Sequence, residues 1–194
     1  MRYLLFLRVL TVLCVTPPLL WANAALAANA TMGTMIPAAP KLGAEAWILI
    51  DAKTNRVITS HNSDARLPPA SLTKLMTAYI TTHELKSGLI SANDEVVVSE
   101  NAWRTGGSRM FLKPGSSASV HDLLSGVIID SGNDASVALA EHIAGSEAGF
   151  VGMMNATAST LGMLNTHFMN STGLPDPEHY SSARDMATLA RKVI

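Results

Sequence analysis

The segment that most constrains the fold of this chain is GVIIDSGNDASVALAEHIAG, residues 126–145. It begins inside one apolar helical pattern, which starts near Ser119, and continues into a second at residues 135–144, where Gly145 is placed to end the helix. Two apolar helices joined by a short turn must bury their faces against each other and against further elements. The segment therefore predicts a helical subdomain in which the turn at residues 130–133 lies between two buried helices.

That turn carries Ser131 and Asn133, two positions apart. On a turn between buried helices both side chains can point into one cleft, where a hydroxyl can relay a proton and an amide can hold a substrate amide. The alternative is that Asn133 or Asp134 starts the second helix as a cap while Ser131 is merely solvated. The turn alone leaves both interpretations open.

A further helical pattern, PASLTKLMTAYI at residues 69–80, contains a lysine in an unfavourable place. Pro69 and Ser71 are typical of a helix start, so Lys74 lies in the first turn. The amino end of a helix carries about half a positive charge and favours Asp or Glu over a cation. The position of Lys74 therefore needs an explanation other than helix stability.

Ser71 and Lys74 are three residues apart, so they share one face of the helix within hydrogen-bonding reach. A serine hydroxyl becomes a nucleophile when a neighbouring base takes its proton, and a neutral lysine amine is such a base. Desolvation and the positive helix end both lower the pKa of a lysine. The alternative is a plain N-cap at Ser71 and a surface cation at Lys74, because Ser-x-x-Lys is a short pattern.

The remaining patterns predict strands and further helices around these two motifs. The turn-like KTNR between residues 46–51 and 57–60 indicates a β-hairpin. The other predicted elements are a strand at residues 95–98, a brief helix capped by Ser99, a helix at 148–161, a long surface loop at 165–180 and a final helix that starts at Ser182 with Asp185 at the capping-box position.

Residues 1–27 have the layout of a cleavable secretory signal, with Arg2 and Arg8 in an apolar run that ends in the small-residue stretch ALA. A membrane-spanning anchor is the alternative, although Pro17-Pro18 interrupts a run already short against the ~20 residues that a spanning helix needs. Either way we expect export, to the periplasm or to the outer face of the cytoplasmic membrane. Residues 28–43 are expected to be a flexible amino-terminal segment.

Charge and cysteine content exclude several function classes. Without residues 1–27 the chain has 12 basic and 15 acidic residues, a net charge of −3, which gives no reason to expect nucleic-acid binding. Its single cysteine, Cys14, lies within the predicted signal. The remainder has no thiol for a disulfide, a catalytic cysteine or a zinc thiolate.

Ser-x-x-Lys and Ser-x-Asn, in this order and about sixty residues apart, resemble the serine penicillin-recognising enzymes, whose third motif is Lys-Thr-Gly. The stretches AWILID, PASLTKLMT, MFLKPG, GVIIDSGNDASVALAEHIAG, MNATASTLGM and SSARDMATLA are similar to the D-alanyl-D-alanine carboxypeptidases, the low-molecular-mass penicillin-binding proteins of the serine peptidase S11 type. The resemblance covers nearly all of residues 44–194. It implies a mixed α/β fold, with an antiparallel sheet flanked by helices and a helical subdomain over roughly residues 64–191.

Carried over residue by residue, the resemblance implies that Ser71 attacks the carbonyl of the penultimate D-alanine in a peptidoglycan pentapeptide stem, with Lys74 as the proton acceptor. Ser131 would relay a proton to the leaving D-alanine, and Asn133 would bind the peptide backbone. Penicillin and other β-lactams would inhibit by acylating Ser71. No metal and no organic cofactor is implied.

The sequence departs from the family pattern at one motif, since no Lys-Thr-Gly follows Asn133. We therefore expect residues 44–194 to be an incomplete domain that stops before the last sheet strands. The carboxy-terminal membrane anchor, through which full-length members associate with membranes, is also expected to be absent. The alternatives are an inactive fragment that binds peptidoglycan or penicillin weakly, and a DD-endopeptidase or β-lactamase relative.

Other charged residues are weaker candidates. In a β-lactamase Glu178 would serve deacylation, but its setting beside prolines predicts a surface role. Arg109 and Arg184 can be imagined on a substrate carboxylate, and we expect no more of them than surface ion pairs. The histidines His121, His142, His167 and His179 are predicted at caps or on the surface.

Overall fold

The computed structural model describes residue 39 and residues 41–194. The predicted signal at residues 1–27 lies outside the described residues, and so does most of the predicted flexible segment at residues 28–43. Within the described part of the chain, no helix has the length and apolar character needed to span a membrane.

The predicted hairpin is present as β1 (Trp47–Ile50) and β2 (Val57–His61), which pair antiparallel. Asp51 closes the turn because its carboxylate accepts hydrogen bonds from the backbone N–H and the hydroxyl of Thr54, at 2.7 and 2.8 Å. One face of the hairpin is covered by the last helix of the chain, which contacts β1. The hairpin prediction is confirmed.

A second small antiparallel sheet pairs β3 (Glu95–Val97) with β4 (Ser117–Ser119). The sequence patterns predicted β3 but not β4. The sequence of β4 is SAS, which contains no β-branched or aromatic residue, so propensity gives no signal for it. The pairing is set instead by the partner strand and by the helix that begins directly after Ser119.

Six α-helices are the main regular elements of the described chain. They are α1 (Lys74–Ser87), α2 (Glu100–Arg104), α3 (Val120–Ile129), α4 (Asn133–Ala144), α5 (Glu147–Thr160) and α6 (Ala183–Val193). A single turn of 3-10 helix, Ala70–Thr73, leads into α1. The described residues therefore have the predicted mixed α/β fold, in which helices dominate.

Helix α4 lies at the centre of this fold. Residues 133–140 are all buried, and the helix contacts α1, α2, α3, α5 and β3. Two apolar clusters include residues of α4. The largest fully buried side chains of the first are Met76, Phe150, Met154, Phe168 and Leu189, and those of the second are Val98, Val120, Leu123, Val137 and Leu139. Each such side chain contributes about 1.5–3 kcal/mol on burial, so α4 is held by both clusters, at residues 135–139 by the second and at Ala140 by the first.

Four helices start at a serine that caps them, and the sequence predicted this cap for two of them, at Ser99 and Ser182. The hydroxyls of Ser99, Ser119, Ser146 and Ser182 each accept a hydrogen bond from the backbone N–H three residues on, at 2.9–3.1 Å. The predicted capping box at the last helix is only half formed. The Asp185 carboxylate turns away and accepts hydrogen bonds from Asn165 N–H and Thr166 Oγ1, both at 2.8 Å.

Two predicted elements differ from the structure. Helix α4 begins at Asn133, two residues before the predicted start, so Asn133 belongs to the helix and not to the turn. The loop at 165–180 is irregular as predicted, but the prediction that it lies on the surface is wrong. Phe168, Ser171, Thr172 and His179 are buried within it. Turn residues predict irregular backbone, whereas burial is decided by contacts with elements distant in sequence.

Candidate active site

Lys74 is the first residue of α1, and its side chain is buried, with 6% of the residue exposed. Nζ donates one hydrogen bond to Asn133 Oδ1 at 2.6 Å and another to the backbone carbonyl of Thr172 at 2.7 Å. Burial lowers the pKa of Lys74 to about 8, because desolvation disfavours the ammonium. No carboxylate accepts a hydrogen bond from Nζ among the described residues, so nothing there offsets the burial.

The two acceptors on Nζ match the donors of a neutral amine. An ammonium has three N–H groups and no lone pair, whereas a neutral lysine has two N–H groups and one lone pair. With Asn133 Oδ1 and Thr172 O each taking one N–H, a neutral Nζ keeps its lone pair for a third partner. This arrangement suits a lysine that accepts a proton.

Ser71 lies one turn ahead of Lys74, in the 3-10 turn, and it is exposed. Its hydroxyl does not cap a helix: neither the 3-10 turn nor α1 has a side-chain cap. The preceding residue, Ala70, has φ +48°, a left-handed conformation that is unusual outside glycine. Gly173 packs so closely on the Ala70 carbonyl that a side chain at position 173 would collide with it.

A cavity of about 310 Å³ brings together the three residues predicted to be catalytic. Ser71, Lys74 and Ser131 line it, and the rest of its wall is apolar, formed by Leu72, Leu75, Ala78, Val127, Ile128 and Val193. Ser131 has φ +53° and is not used as a helix cap, since α4 is preceded by Gly132 and starts with no side-chain cap. The capping alternative for Ser71 is therefore not realised, and neither Asn133 nor Asp134 caps α4.

Asn133 contacts the site through Lys74 and does not line the cavity. Its Oδ1 accepts from Lys74, and its Nδ2 donates to the Gly106 carbonyl at 2.6 Å. Its backbone N–H donates to the Ser108 carbonyl at 2.8 Å. Gly107, with φ +83°, packs on the same amide, so Asn133 links the lysine to the segment at residues 106–108. Its predicted role in substrate binding stays a prediction.

Asp134 is a buried residue that the sequence analysis considered only as a cap. Its carboxylate accepts hydrogen bonds from the backbone N–H groups of Met110 and Leu112, at 2.9 and 3.1 Å. It also accepts from Ala135 N–H at 3.0 Å. Asp134 thus fixes the segment after Gly107 against the start of α4. The signal available in sequence was an acidic residue in an apolar helix, which needs buried partners.

The loop at 168–179 supplies a second set of contacts that sequence reasoning missed. Thr172 gives its carbonyl to Lys74, and Thr77 Oγ1 of α1 donates to the Ser171 carbonyl at 2.8 Å. The Ser171 backbone N–H and hydroxyl both donate to Glu147 Oε1 at the start of α5, at 3.0 and 2.8 Å. Backbone carbonyls carry no sequence signature, so the Thr172 contact had none to find.

The remaining candidates lie apart from this network. Arg184 forms the predicted surface ion pair, with Nε 2.7 Å from Asp64 Oδ1, and Asp64 raises the pKa of the guanidinium. Arg109 lies over the Phe111 ring, 5.2 Å from its centroid, and forms no ion pair with the described residues. Glu178 is exposed, as predicted. His179 contradicts its prediction, because it is buried and hydrogen-bonded to Thr73.

The fold and the site together define a class of protein. Ser71 and Lys74 of the Ser-x-x-Lys motif line one cavity with Ser131 of the Ser-x-Asn motif, and Asn133 of the same motif is hydrogen-bonded to the lysine. The lysine is buried in a mixed α/β fold, and no carboxylate of the described residues contacts its amine. This arrangement is that of the serine penicillin-recognising enzymes.

Comparison with known proteins narrows the class to one family. The family model Peptidase_S11, described as D-alanyl-D-alanine carboxypeptidase, matches residues 33–194. The chain belongs to this family. The sequence resemblance is thereby confirmed at the level of the family and of the fold.

Individual relatives agree with the family match. D-alanyl-D-alanine carboxypeptidase DacC of Escherichia coli K12 is 46% identical over 181 residues, which are 90% of this chain and 44% of the relative. DacF of Bacillus subtilis is 48% identical over 151 residues, 78% of this chain and 39% of the relative. The crystal structure of DacD from Francisella tularensis has a TM-score of 0.80 at 45% identity, covering 88% of this chain and 41% of that one. The chain spans less than half the length of these relatives.

Proposed function

We propose that this chain carries the acylation chemistry of a serine-type D-alanyl-D-alanine carboxypeptidase, which removes the terminal D-alanine from peptidoglycan pentapeptide stems. The observation that carries the proposal is the state of Lys74. Its amine is buried, its pKa is lowered to about 8, and it shares a cavity with Ser71 and Ser131. Membership of the family and the names of the relatives support the substrate class.

The first step forms an ester on Ser71. The neutral Nζ of Lys74 takes the proton from Ser71 Oγ while Oγ bonds to the carbonyl carbon of the penultimate D-alanine. The carbonyl oxygen becomes an oxyanion and needs hydrogen-bond donors aimed at it. The backbone N–H of Ser71 is one such donor, because the first N–H groups of a helix have no partner within the helix.

The second step releases D-alanine. The bond between the penultimate carbonyl carbon and the amine of the terminal D-alanine breaks, and that amine needs a proton. Lys74 holds the proton taken from Ser71, and the hydroxyl of Ser131, on the same cavity, relays it to the leaving amine. Water then hydrolyses the ester and restores Ser71.

Asn133 is proposed to hold the peptide backbone of the substrate. A side-chain amide nitrogen has two N–H groups, and in the free protein one of those on Nδ2 donates to Gly106. The second N–H is the group that we assign to a substrate carbonyl. The contact of Oδ1 with Lys74 fixes the orientation of the amide.

β-Lactams are proposed to acylate the same serine. Lys74 takes the proton of Ser71 Oγ as the oxygen bonds to the strained lactam carbonyl carbon, the ring C–N bond breaks, and the freed nitrogen takes up the proton. Both halves of the opened ring stay attached to the enzyme as one ester. Structural neighbours named penicillin binding protein 5 from Haemophilus influenzae and penicillin binding protein 6B from Escherichia coli support this assignment.

We also propose that the protein acts outside the cytoplasm, in the periplasm or on the outer face of the cytoplasmic membrane. The support is the signal-like sequence of residues 1–27 and the extracytoplasmic position of the substrate class. Residues 28–43 would then connect the mature amino terminus to the catalytic domain at 44–194. Amino-terminal sequencing of the secreted form is expected to begin at residue 28.

The proposal is tested with two matched peptides and one variant. A synthetic stem ending in D-Ala-D-Ala is expected to release D-alanine with the wild-type chain, whereas the same stem ending in D-Ala-L-Ala is not cleaved. Peptide mapping after incubation with penicillin is expected to find the adduct on Ser71 and none in Ser71→Ala. A folded wild-type chain that forms no adduct and releases no D-alanine would overturn the proposal.

A further inference from the structure

The loop at 168–179 is a stiff unit whose two ends are joined. His167 and Tyr180 exchange two backbone hydrogen bonds, at 2.8 and 3.0 Å, directly outside the loop. Inside it, Asn170 Oδ1 accepts from the backbone N–H groups of Thr172 and Gly173, at 3.2 and 2.7 Å. The carbonyl of Thr172, which contacts the Lys74 amine, is therefore presented by a fixed turn.

His179, the last residue of this loop, connects it to the turn that carries the reacting residues. The side chain is buried, with 4% of the residue exposed. Its Nε2 lies 2.8 Å from Thr73 Oγ1, and its Nδ1 accepts a hydrogen bond from Met169 N–H at 3.2 Å. Thr73 is fully buried and directly precedes Lys74 in the chain.

These contacts assign the tautomer of the ring. A backbone N–H can only donate, so Nδ1 of His179 must be the unprotonated nitrogen. In a neutral imidazole the other nitrogen then carries the proton, and Nε2–H donates to Thr73 Oγ1. Protonation of His179 would place an N–H on Nδ1 against the N–H of Met169, so the cation cannot keep both hydrogen bonds.

We propose that His179 is a positioning residue for the reaction assigned above: its Nε2–H bond to Thr73 and its Nδ1 bond to Met169 hold the 168–179 loop on the Ser71–Lys74 turn. While they hold, the Thr172 carbonyl stays on the Lys74 amine and water stays off it. This inference rests on the proposed function, because His179 can position reacting groups only if Ser71 and Lys74 react as proposed. The contacts of His179 themselves are present in the structure.

The backbone on the other side of the turn shows why such support is needed. Ala70, directly before Ser71, is held at φ +48°, a conformation that costs on the order of 1 kcal/mol or more for a residue with a side chain. Gly173 of the same loop packs directly on the Ala70 carbonyl. The loop therefore touches the turn at Ala70 and at Thr73, on both sides of Ser71.

A rival anchor exists in the same structure. Thr77, in the second turn of α1, donates to the Ser171 carbonyl, and Glu147 of α5 accepts from Ser171. These contacts hold the middle of the loop without His179. If they suffice, the histidine is only a packing residue, and the experiment must separate the two cases.

Burial and two nearby titratable residues shift the pKa of the His179 ring. Burial is the main cause that lowers the pKa of His179, and His167 adds to it, whereas Asp176 of the same loop raises it. From the helix side the nearest titratable residue along the chain is Lys74, which follows Thr73. The pKa of His179 is thus below its ordinary value, so the ring is neutral at pH 7 and the loop should loosen only in acid.

Two pairs of variants test the assignment. Thr73→Val removes the acceptor while keeping the volume, and Thr73→Ser keeps it. His179→Asn retains an acceptor near Nδ1 but cannot reach Thr73, whereas His179→Gln retains a donor near Nε2. In each pair the substitution that breaks the Thr73 bond is compared with one that preserves it.

The first measurement is the pKa of Lys74, followed through its ¹³Cε chemical shift. In Thr73→Val and His179→Asn we expect it to rise from about 8 towards 10.5, because the loosened loop readmits water to the amine. In Thr73→Ser and His179→Gln it should stay near the wild-type value. Equal values in all four folded variants would overturn the proposal and leave Thr77 as the sufficient anchor.

The second measurement is the rate of acylation by fluorescent penicillin. At saturating penicillin and pH 7.5 the two disruptive variants should react about tenfold more slowly, with the conservative variants near wild type. Failure of the wild type itself to be acylated would overturn the proposed function, and the Lys74 titration would still decide the role of His179.

The third measurement is the pH dependence of the acylation rate, followed mainly in the wild type. Below the pKa of His179 the acylation rate of the wild type should decrease with the binding of two protons, one to Lys74 and one to His179. In His179→Gln it should decrease with the binding of one proton, to Lys74. The folded fraction at each pH is checked by circular dichroism. A one-proton dependence in the folded wild type that persists below the titration of the His179 ring, followed through its own NMR resonances, would contradict the proposal.

Discussion

The α-helices of the described chain begin in two different ways. Helices α2, α3, α5 and α6 begin after a serine whose hydroxyl caps the helix. Helices α1 and α4, which bear the predicted site residues, begin with no side-chain cap, although Ser71 and Ser131 lie close to their starts. The same residue type thus stabilises four helices and is left free at two.

The backbone conformation at the helix starts also differs between the capped and the uncapped helices. Ala70 and Ser131, which lie just ahead of the two uncapped helices, have φ +48° and +53°. The four capping serines have extended backbones, with φ between −162° and −70°. Left-handed residues with side chains are costly and persist where their surroundings hold them. The two helix starts at the candidate site are therefore locally less stable than the four capped helix starts elsewhere in the fold.

The sharpest test of this comparison is to remove one serine from each group. Ser71→Ala should lose penicillin labelling by a factor on the order of 10³ or more, since it removes the nucleophile. Its free energy of unfolding should stay within about 0.5 kcal/mol of wild type. Ser119→Ala should label normally and lose about 1 kcal/mol of stability, because it removes a cap. Labelling rates and urea unfolding measure both effects. The reverse pattern would break the comparison.

The next largest effect concerns the base. Since the pKa of Lys74 is about 8, the neutral amine should be about a tenth of the population at pH 7 and most of it at pH 9. The labelling rate should therefore rise about tenfold per pH unit up to pH 8 and then level off. Lys74→Arg keeps a cation that cannot deprotonate, and it should label about 10²–10⁴-fold more slowly. A rate independent of pH between 6 and 8 would contradict the role of Lys74.

Stability should report the same group with a defined sign. The folded pKa of Lys74, about 8, is below its ordinary value of 10.5, so the folded state binds fewer protons between these pH values. Below pH 8 the free energy of unfolding is lowered by the whole cost of burying the ammonium. This cost decreases as the pH rises from 8 to 10.5. Relative to Lys74→Met, the wild type should gain about 3 kcal/mol over this range. A constant difference between the two unfolding free energies would show that Lys74 is solvated.

The smallest expected effect concerns Ser131, where two variants distinguish the cost of the left-handed backbone from the role of the hydroxyl. Ser131→Gly removes the hydroxyl and suits the left-handed backbone, whereas Ser131→Ala removes the hydroxyl alone. We expect the glycine variant to be more stable than the alanine variant by up to about 1 kcal/mol. Both should release D-alanine from a stem peptide more slowly, to the same degree. Unequal rates would mean that backbone shape and not the hydroxyl matters there.

The sequence was a good guide where local patterns decide the structure. The hairpin, the caps at Ser99 and Ser182, and the stop of α4 at Gly145 depend on residues close in the chain, and the structure confirms them. Lys74 could be singled out because a cation in a first turn violates a local preference. Local rules therefore predicted both the ordinary helix starts and the exceptional one.

What the sequence could not predict depends on distant contacts. The Thr172 carbonyl on Lys74 joins residues 98 positions apart, and the His179 ring on Thr73 joins residues 106 apart. A backbone carbonyl has no residue signature, and a loop rich in Asn, Gly and Pro is predicted to be exposed. The site residues could thus be named from motifs, whereas the loop that buries them could be found only in three dimensions.

The most direct test of the whole account is the titration of the Lys74 amine in the free wild-type protein. Its ¹³Cε resonance, assigned by loss in Lys74→Arg, can be followed from pH 6 to 12. The midpoint is expected near 8, with the amine neutral above it and its lone pair available to Ser71. A midpoint near 10.5, the ordinary value for a solvated lysine, would contradict it, because the proposed base would then be an ammonium at every physiological pH.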